Sequence, residues 1–161
     1  MIAVQLMASF VATGKLYEVG IGSTLAEVDR AIHATFIDVV GDDGLTMRRD
    51  YGFVEFYFNL DSEWTISGGA IELHRLGSRY EMARRWQEEM QTTFPQHVSW
   101  EELRGEIERT SGLPPLTVID QGDFLEYRAV STKVSVLVSN DNEERSGSWL
   151  GHGDVWSVSL G

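Results

Sequence analysis

The sequence predicts an α+β protein made of two similar helix-plus-antiparallel-sheet units in tandem. Two observations carry this. The stretch Thr24–Ile32 has a counterpart in Ser99–Ile107, 75 residues on, and the pair Asp50-Tyr51 has one in Glu126-Tyr127, 76 residues on. In addition, residues from Phe53 to Leu60 alternate in type, which is the period of a strand. A repeated segment that cannot bury its own apolar face implies that its copies pack together. The expected organisation is a first unit over 1–78, including an N-terminal helix, and a second over 79–161. Both would share one compact domain.

The elements follow in order. The run Ile2–Ala12 is apolar, too short to span a bilayer, and has no basic residue before it. It reads as a buried helix with Gly14 as its C-cap. Thr24 caps the next helix, and Glu27, three residues later, completes a capping box; Leu25, Val28, Ala31 and Ile32 form its apolar stripe. This helix is expected to end before the turn cluster Gly41–Gly44.

The strand comes next. Val54, Phe56, Phe58 and Leu60 make a wholly apolar face, expected in the core. Phe53, Glu55, Tyr57 and Asn59 make a mixed face. Aromatics beside acids suit a surface that meets another protein; the other reading is a face covered by the chain's own helix or loop.

Residues 61–63 turn the chain, Trp64–Ile66 begins the return, and Ser67–Gly69 is expected to break or bulge it. Ala70–Arg75 reads as a further strand with Ile71 and Leu73 inward, placing Glu72 and His74 on one face. Residues 79–94 carry Met82, Ala83, Trp86, Met90 and Phe94 at helical spacing, and Pro95 closes that segment. Ser99 with Glu102 repeats the capping box. Strands follow over 124–130 and 134–139, then the acidic turn 140–147 and a last strand over 155–160.

Composition narrows function. The chain has 161 residues, 25 acidic against 13 basic, for a net charge of −12. Phosphate binding needs a basic patch, so nucleic acid is not an expected partner; a basic protein surface would be attracted instead. There are no cysteines, which excludes disulfides, thiolate zinc sites and cysteine nucleophiles and fits a cytoplasmic setting. The histidines, His33, His74, His97 and His152, form no helical metal pair. Gly20–Gly22 lacks the strand-glycine-helix order of a nucleotide site, and no cofactor, metal or membrane partner is expected. Arg48 and Arg49 read as internal salt-bridge partners of Asp42, Asp43 or Asp50, each worth ~0–1 kcal/mol if exposed.

The capped helices with their meanders resemble the beta-lactamase inhibitor protein fold, in which two tandem units each give a short helical part and a four-stranded antiparallel sheet. Gly22–Ile32 followed by Arg49–Gly52 is also similar to small bacterial modules that assist or inhibit other proteins through a sheet surface. The run Leu45–Phe56 resembles small acidic proteins that accompany bacterial toxins as immunity factors. The chain departs from the inhibitor in lacking cysteines.

These resemblances imply a non-enzymatic immunity protein that occludes a cognate toxin having a basic surface. The residues expected to touch it are Phe53, Glu55, Tyr57, Glu72, His74, Asp141, Glu143, Glu144 and Trp149. Two alternatives stand beside this reading. One is a small enzyme with an acid-base cluster of Glu55, Glu72 and His74. The other is a non-catalytic, chaperone-like adaptor.

Overall fold

Thr24 and Ser99 each open a helix that precedes four antiparallel strands, and the two sets of strands merge into one sheet. The computed structural model describes all residues, Met1–Gly161. In chain order the elements are α1 (Ala3–Thr13), α2 (Leu25–Ala31), β1 (Ile37–Val40), β2 (Thr46–Asp50), β3 (Val54–Leu60), β4 (Trp64–Ile71), α3 (His74–Ser78), α4 (Glu81–Met90), α5 (Trp100–Thr110), β5 (Thr117–Asp120), β6 (Phe124–Ala129), β7 (Val134–Ser139) and β8 (Val155–Leu160). The sheet order is β1-β2-β3-β4-β8-β7-β6-β5, so the last strand of each half meets the other at the centre. No helix is long and apolar enough to cross a membrane.

Local chemistry accounts for the helix starts. The Thr24 hydroxyl accepts from the Glu27 N–H, and Glu27 accepts from the Thr24 N–H, closing the box. At Ser99 only half of the box forms. Its hydroxyl accepts from Glu102, while the backbone on either side of it is tied to the start of β8: Trp100 N–H donates to Gly153, and Val155 N–H to Val98. The same splice occurs in the first half, where Ile66 N–H donates to Ser23. Gly14 ends α1 at φ 72°, the left-handed cap expected of it.

The hydrophobic pattern places the core on one sheet face. Val54, Phe56 and Phe58 of β3, Ile66 and Ile71 of β4, Val134, Val136 and Val138 of β7, and Val155, Val158 and Leu160 of β8 are buried. They join α1, α4 and α5 in a cluster of 36 buried apolar residues drawn from both halves. Trp86 of α4 packs edge-on against Tyr51 and Phe53, with ring centroids 5.9 and 5.5 Å away. Helix α4, assigned from sequence to the second unit, thus seals the first half's aromatic core.

Several expectations change. The stretch 46–60 is a hairpin of β2 and β3, turned at Tyr51–Phe53. Of the break or bulge expected at Ser67–Gly69 the bulge is what forms: the return strand runs through to Ile71, and Ser67 is the extra residue against Tyr57 and Phe58. A matching bulge at Trp156 sits between β7 and β8. Glu72 and His74 lie beyond the strand end, His74 opening the short α3, because Leu73 already has helical dihedrals. The predicted helix over 79–94 is confined to 81–90, and Gln91 adopts φ 56° to end it.

The edge strands β1 and β5 were not expected. Each has four residues, and β1 is exposed on both faces, so no alternation marks it. The pairing register also corrects the repeat. Arg49 pairs with Phe56 and Tyr127 with Val136, so Arg49 corresponds to Tyr127, an offset of 78 rather than 76. A slip of two keeps every side chain on its face.

Candidate functional site

The opposite face of the sheet carries no helix core. One cross-strand row spans all eight strands: Ile37, Asp50, Glu55, Ala70, Ser159, Ser135, Arg128 and Thr117. Its centre is built of small residues, and the neighbouring row adds Arg48, Tyr57 and Gly68. Charge gathers on the β2–β3 side and again at the Arg128–Glu126 pair of β6, with Phe124, Leu137 and Trp156 beside the latter.

Alternation along β2 and β3 puts Arg48, Asp50, Glu55 and Tyr57 on this face, and they bind one another. Glu55 is almost fully buried, at 3% exposure. A buried carboxylate must be paired and hydrogen-bonded. Three donors meet that need. The Tyr57 hydroxyl donates to Oε1, while Arg48 Nη1 and Arg75 Nη1 donate to Oε2 at 3.3 and 3.4 Å. Arg48 also reaches Asp50 at 3.4 Å. Arg75 Nη1 donates to the Gly52 carbonyl at 3.0 Å, and the Gly52 N–H donates to Asp50 at 2.7 Å. The β2–β3 turn is thereby latched to α3.

This corrects two readings. Phe53 is fully buried between Trp86 and Phe94, on the core side, so it does not belong to any outer surface. Arg49 pairs with none of the acids expected of it: at 3% exposure its Nε and Nη2 donate to Asp38 at 2.8 and 2.9 Å, its Nη1 to Asp29 at 2.6 Å, and its guanidinium lies 3.8 Å from the Phe36 ring centre. Asp42 and Asp43 take no part.

Glu72 and His74 lie at the end of the same face. His74 Nε2 is 2.9 Å from Glu72 Oε2, and its ring stacks on Trp156 at 4.6 Å and 9°. Phe124 meets Trp156 edge-on at 5.2 Å. Burial raises the Glu72 carboxyl above its usual range, with Arg75 opposing. Burial and then Arg75 lower His74, so its imidazole is neutral at neutral pH. The Tyr57 phenol is pushed well above its ordinary value, first by burial and then by its bond to Glu55.

The loop after β7 holds the remaining expected residues. Glu143, Glu144 and Trp149 are exposed and Asp141 half-buried; Trp149 is 72% exposed. Its backbone is nonetheless braced. Ser146 and Trp149 exchange backbone hydrogen bonds at 3.2 and 2.9 Å, and His152 binds the Glu143 carbonyl through its N–H and the Asp141 carbonyl through Nδ1, both at 2.8 Å.

The structure thus brings Glu55, Tyr57, Glu72, His74 and the Trp149 loop to one side of the molecule. Sequence reasoning missed Arg48, Asp50, Arg75, Phe124 and Trp156. Alternation already pointed to Arg48, Asp50 and Trp156. No local signal marked Arg75, which arrives from a helix 20 residues beyond its partner Glu55.

No protein family model matches the chain, and no curated protein matches it. Among solved structures the chain is similar to a DUF4309 family protein, YjgB, from Bacillus subtilis subsp. subtilis str. 168. The identity is 16%, with 98% of this chain and 95% of that one covered, at a TM-score of 0.45.

Proposed function

We propose that this chain is an immunity protein: it binds a cognate bacterial protein toxin and neutralises it by covering the toxin's active site or basic substrate groove. In this reading the two halves are tandem units of the beta-lactamase inhibitor protein type. The chain works in the cytoplasm, without catalysis or cofactor.

One observation carries the reading. The sheet face opposite the main core holds ionisable groups that already satisfy one another, and beside them stand exposed aromatics on braced backbone. A general base needs a lone pair directed at substrate, but the Glu55 carboxylate is spent on Tyr57, Arg48 and Arg75. What the face still offers is contact area: Tyr57, Trp149 and the acids of the 141–144 loop. Rigid aromatics ringed by polar groups are the usual anchors of protein interfaces, and a net charge of −12 favours a basic partner.

The test is binding to the product of the neighbouring gene, with protection of cells that express it as the second readout. Tyr57→Ala and Trp149→Ala should each weaken binding by ~2 kcal/mol or more while leaving the chain folded. Unchanged affinity in both folded variants would remove this face as the interface. Absence of binding and of protection by the native chain would remove the immunity reading.

A further inference from the structure

A notch of about 280 Å³ opens between α3 and the loop before β8, lined by His74, Ser78, Ser148, Trp149, Leu150 and Trp156. Its walls are largely aromatic. The stack of His74 on Trp156 fixes one of them, and the braced 146–149 turn carries the other. Close packing sets its width: a Cβ added at Gly77 would lie 2.2 Å from the Ser148 carbonyl oxygen, so α3 and the loop touch backbone to backbone.

The charges around the notch are one-sided. Glu72 is bonded to His74, and Asp141, Glu143 and Glu144 belong to the same loop as Trp149. The nearby arginines are committed elsewhere: Arg145 binds Asp154, Arg75 binds Glu55 and the Gly52 carbonyl, and Arg79, next to Ser78, binds Glu81 at 3.2 Å. His74 is neutral at neutral pH, so neither wall repels a cation. Aromatic faces attract cations, and the Ser78 and Ser148 hydroxyls add acceptors.

We propose that this notch seats a lysine or arginine side chain of the partner, with its cationic head against Trp149 and beside the His74–Trp156 stack. The inference rests on the immunity reading for the partner's basic surface and supplies the group that surface presents.

The test needs no partner. The ¹⁵N-labelled chain is titrated with N-acetyl-lysine methylamide, N-acetyl-arginine methylamide and the neutral N-acetyl-norleucine methylamide, following the indole N–H signals. The Trp149 and Trp156 signals should move saturably with a cationic probe, whose affinity exceeds that of the norleucine probe by about fivefold or more. Whichever cation binds more tightly identifies the side chain. Trp149→Ala should lose that preference and Trp149→Phe retain most of it; at 72% exposure neither change threatens the fold. Equal shifts with norleucine, or no shift with any probe, overturn the notch. A cation-selective notch in a chain that ignores the neighbouring gene's product would instead overturn the immunity reading and leave the notch standing.

Discussion

The Arg145 guanidinium lies along the Asp154 carboxylate, nine residues further on, with Nε donating to Oδ2 at 2.9 Å and Nη2 donating to Oδ1. The Gly151 N–H donates to the same Oδ2 at 2.9 Å. This one buried carboxylate therefore closes the acidic loop onto the start of β8, beside the capped end of α5.

Asp154→Asn should lower stability by about 1.5–3 kcal/mol at neutral pH, the range for a hydrogen bond to a charged group, and urea denaturation would measure it. Burial is the strongest single influence on this carboxyl and pushes it up. The Arg145 and Gly151 hydrogen bonds, with the charges of Arg145 and His97, oppose burial and hold the group below its ordinary value of 3.8. A depressed carboxyl stabilises the fold above its unfolded value, and that contribution fades as pH falls through the folded one. Native protein should therefore lose stability on acidification below about 3.8, and the variant should lack that part of the acid limb. Parallel acid limbs would contradict the assignment.

Gly69 should resist substitution because of Phe56 across the strand pair. A Cβ there would lie 2.7 Å from Phe56 Cδ1 and 2.9 Å from the Glu55 carbonyl oxygen. Phe56→Ala should cost ~3–5 kcal/mol as a cavity mutation, and Gly69→Ala ~1–3 kcal/mol as overpacking. The two should couple, with Gly69→Ala less harmful when Phe56 is already alanine. Strict additivity in denaturant titrations would mean that the ring is not what excludes the methyl group.

Three tyrosines should titrate late in an alkaline absorbance titration. Burial raises Tyr17, lifts Tyr51 to about 12 against the opposing Arg49 charge, and raises Tyr57 further still with help from Glu55. A raised phenol means that the folded state holds its proton more tightly than the unfolded one. The stability it contributes is complete below pH 10.0 and is lost as pH rises through the folded value. Tyr57→Phe should remove the latest-titrating phenol at a cost of about 1 kcal/mol, since Arg48 and Arg75 still hold Glu55. An unchanged late phase would assign that proton elsewhere.

The parts of this fold legible in the sequence are those whose signal is local. Thr24 and Ser99 announce their helices three residues ahead of a glutamate, and Val54, Phe56 and Phe58 declare a buried strand face by alternation alone. What stayed hidden depends on partners far along the chain. Arg49 reads as a partner of the acids beside it until β1 and α2 supply Asp38 and Asp29, 11 and 20 residues away. Glu55 reads as a free acid until Arg75 arrives from α3. Phe53 fits the alternating register of an outer face, yet the strand begins only at Val54, and the turn swings its ring onto Trp86 and Phe94. Helix α4, which makes that pocket aromatic, has no counterpart in the second half. There Trp100 and Tyr127 stack on each other instead, 4.2 Å apart.

The acidic loop and Tyr57 should act on different phases of binding. Glu143 and Glu144 are exposed, and Asp141 is half-buried with its Oδ1 accepting the Glu143 N–H at 3.1 Å. An Asp141→Asn, Glu143→Gln, Glu144→Gln variant keeps that acceptor and removes three charges. Exposed charges of this kind steer approach more than they hold a complex together. The variant should therefore associate more slowly with the neighbouring gene's product at low ionic strength and dissociate at the native rate. The difference should shrink towards zero near 1 M salt, where charges interact over only about 3 Å. Tyr57→Ala removes an aromatic anchor, so its loss should fall mainly on dissociation and persist at every salt concentration. Surface-immobilised kinetics at low and high salt would separate the two. A charge-removed variant that associates at the native rate in low salt would show that the loop does not face the partner.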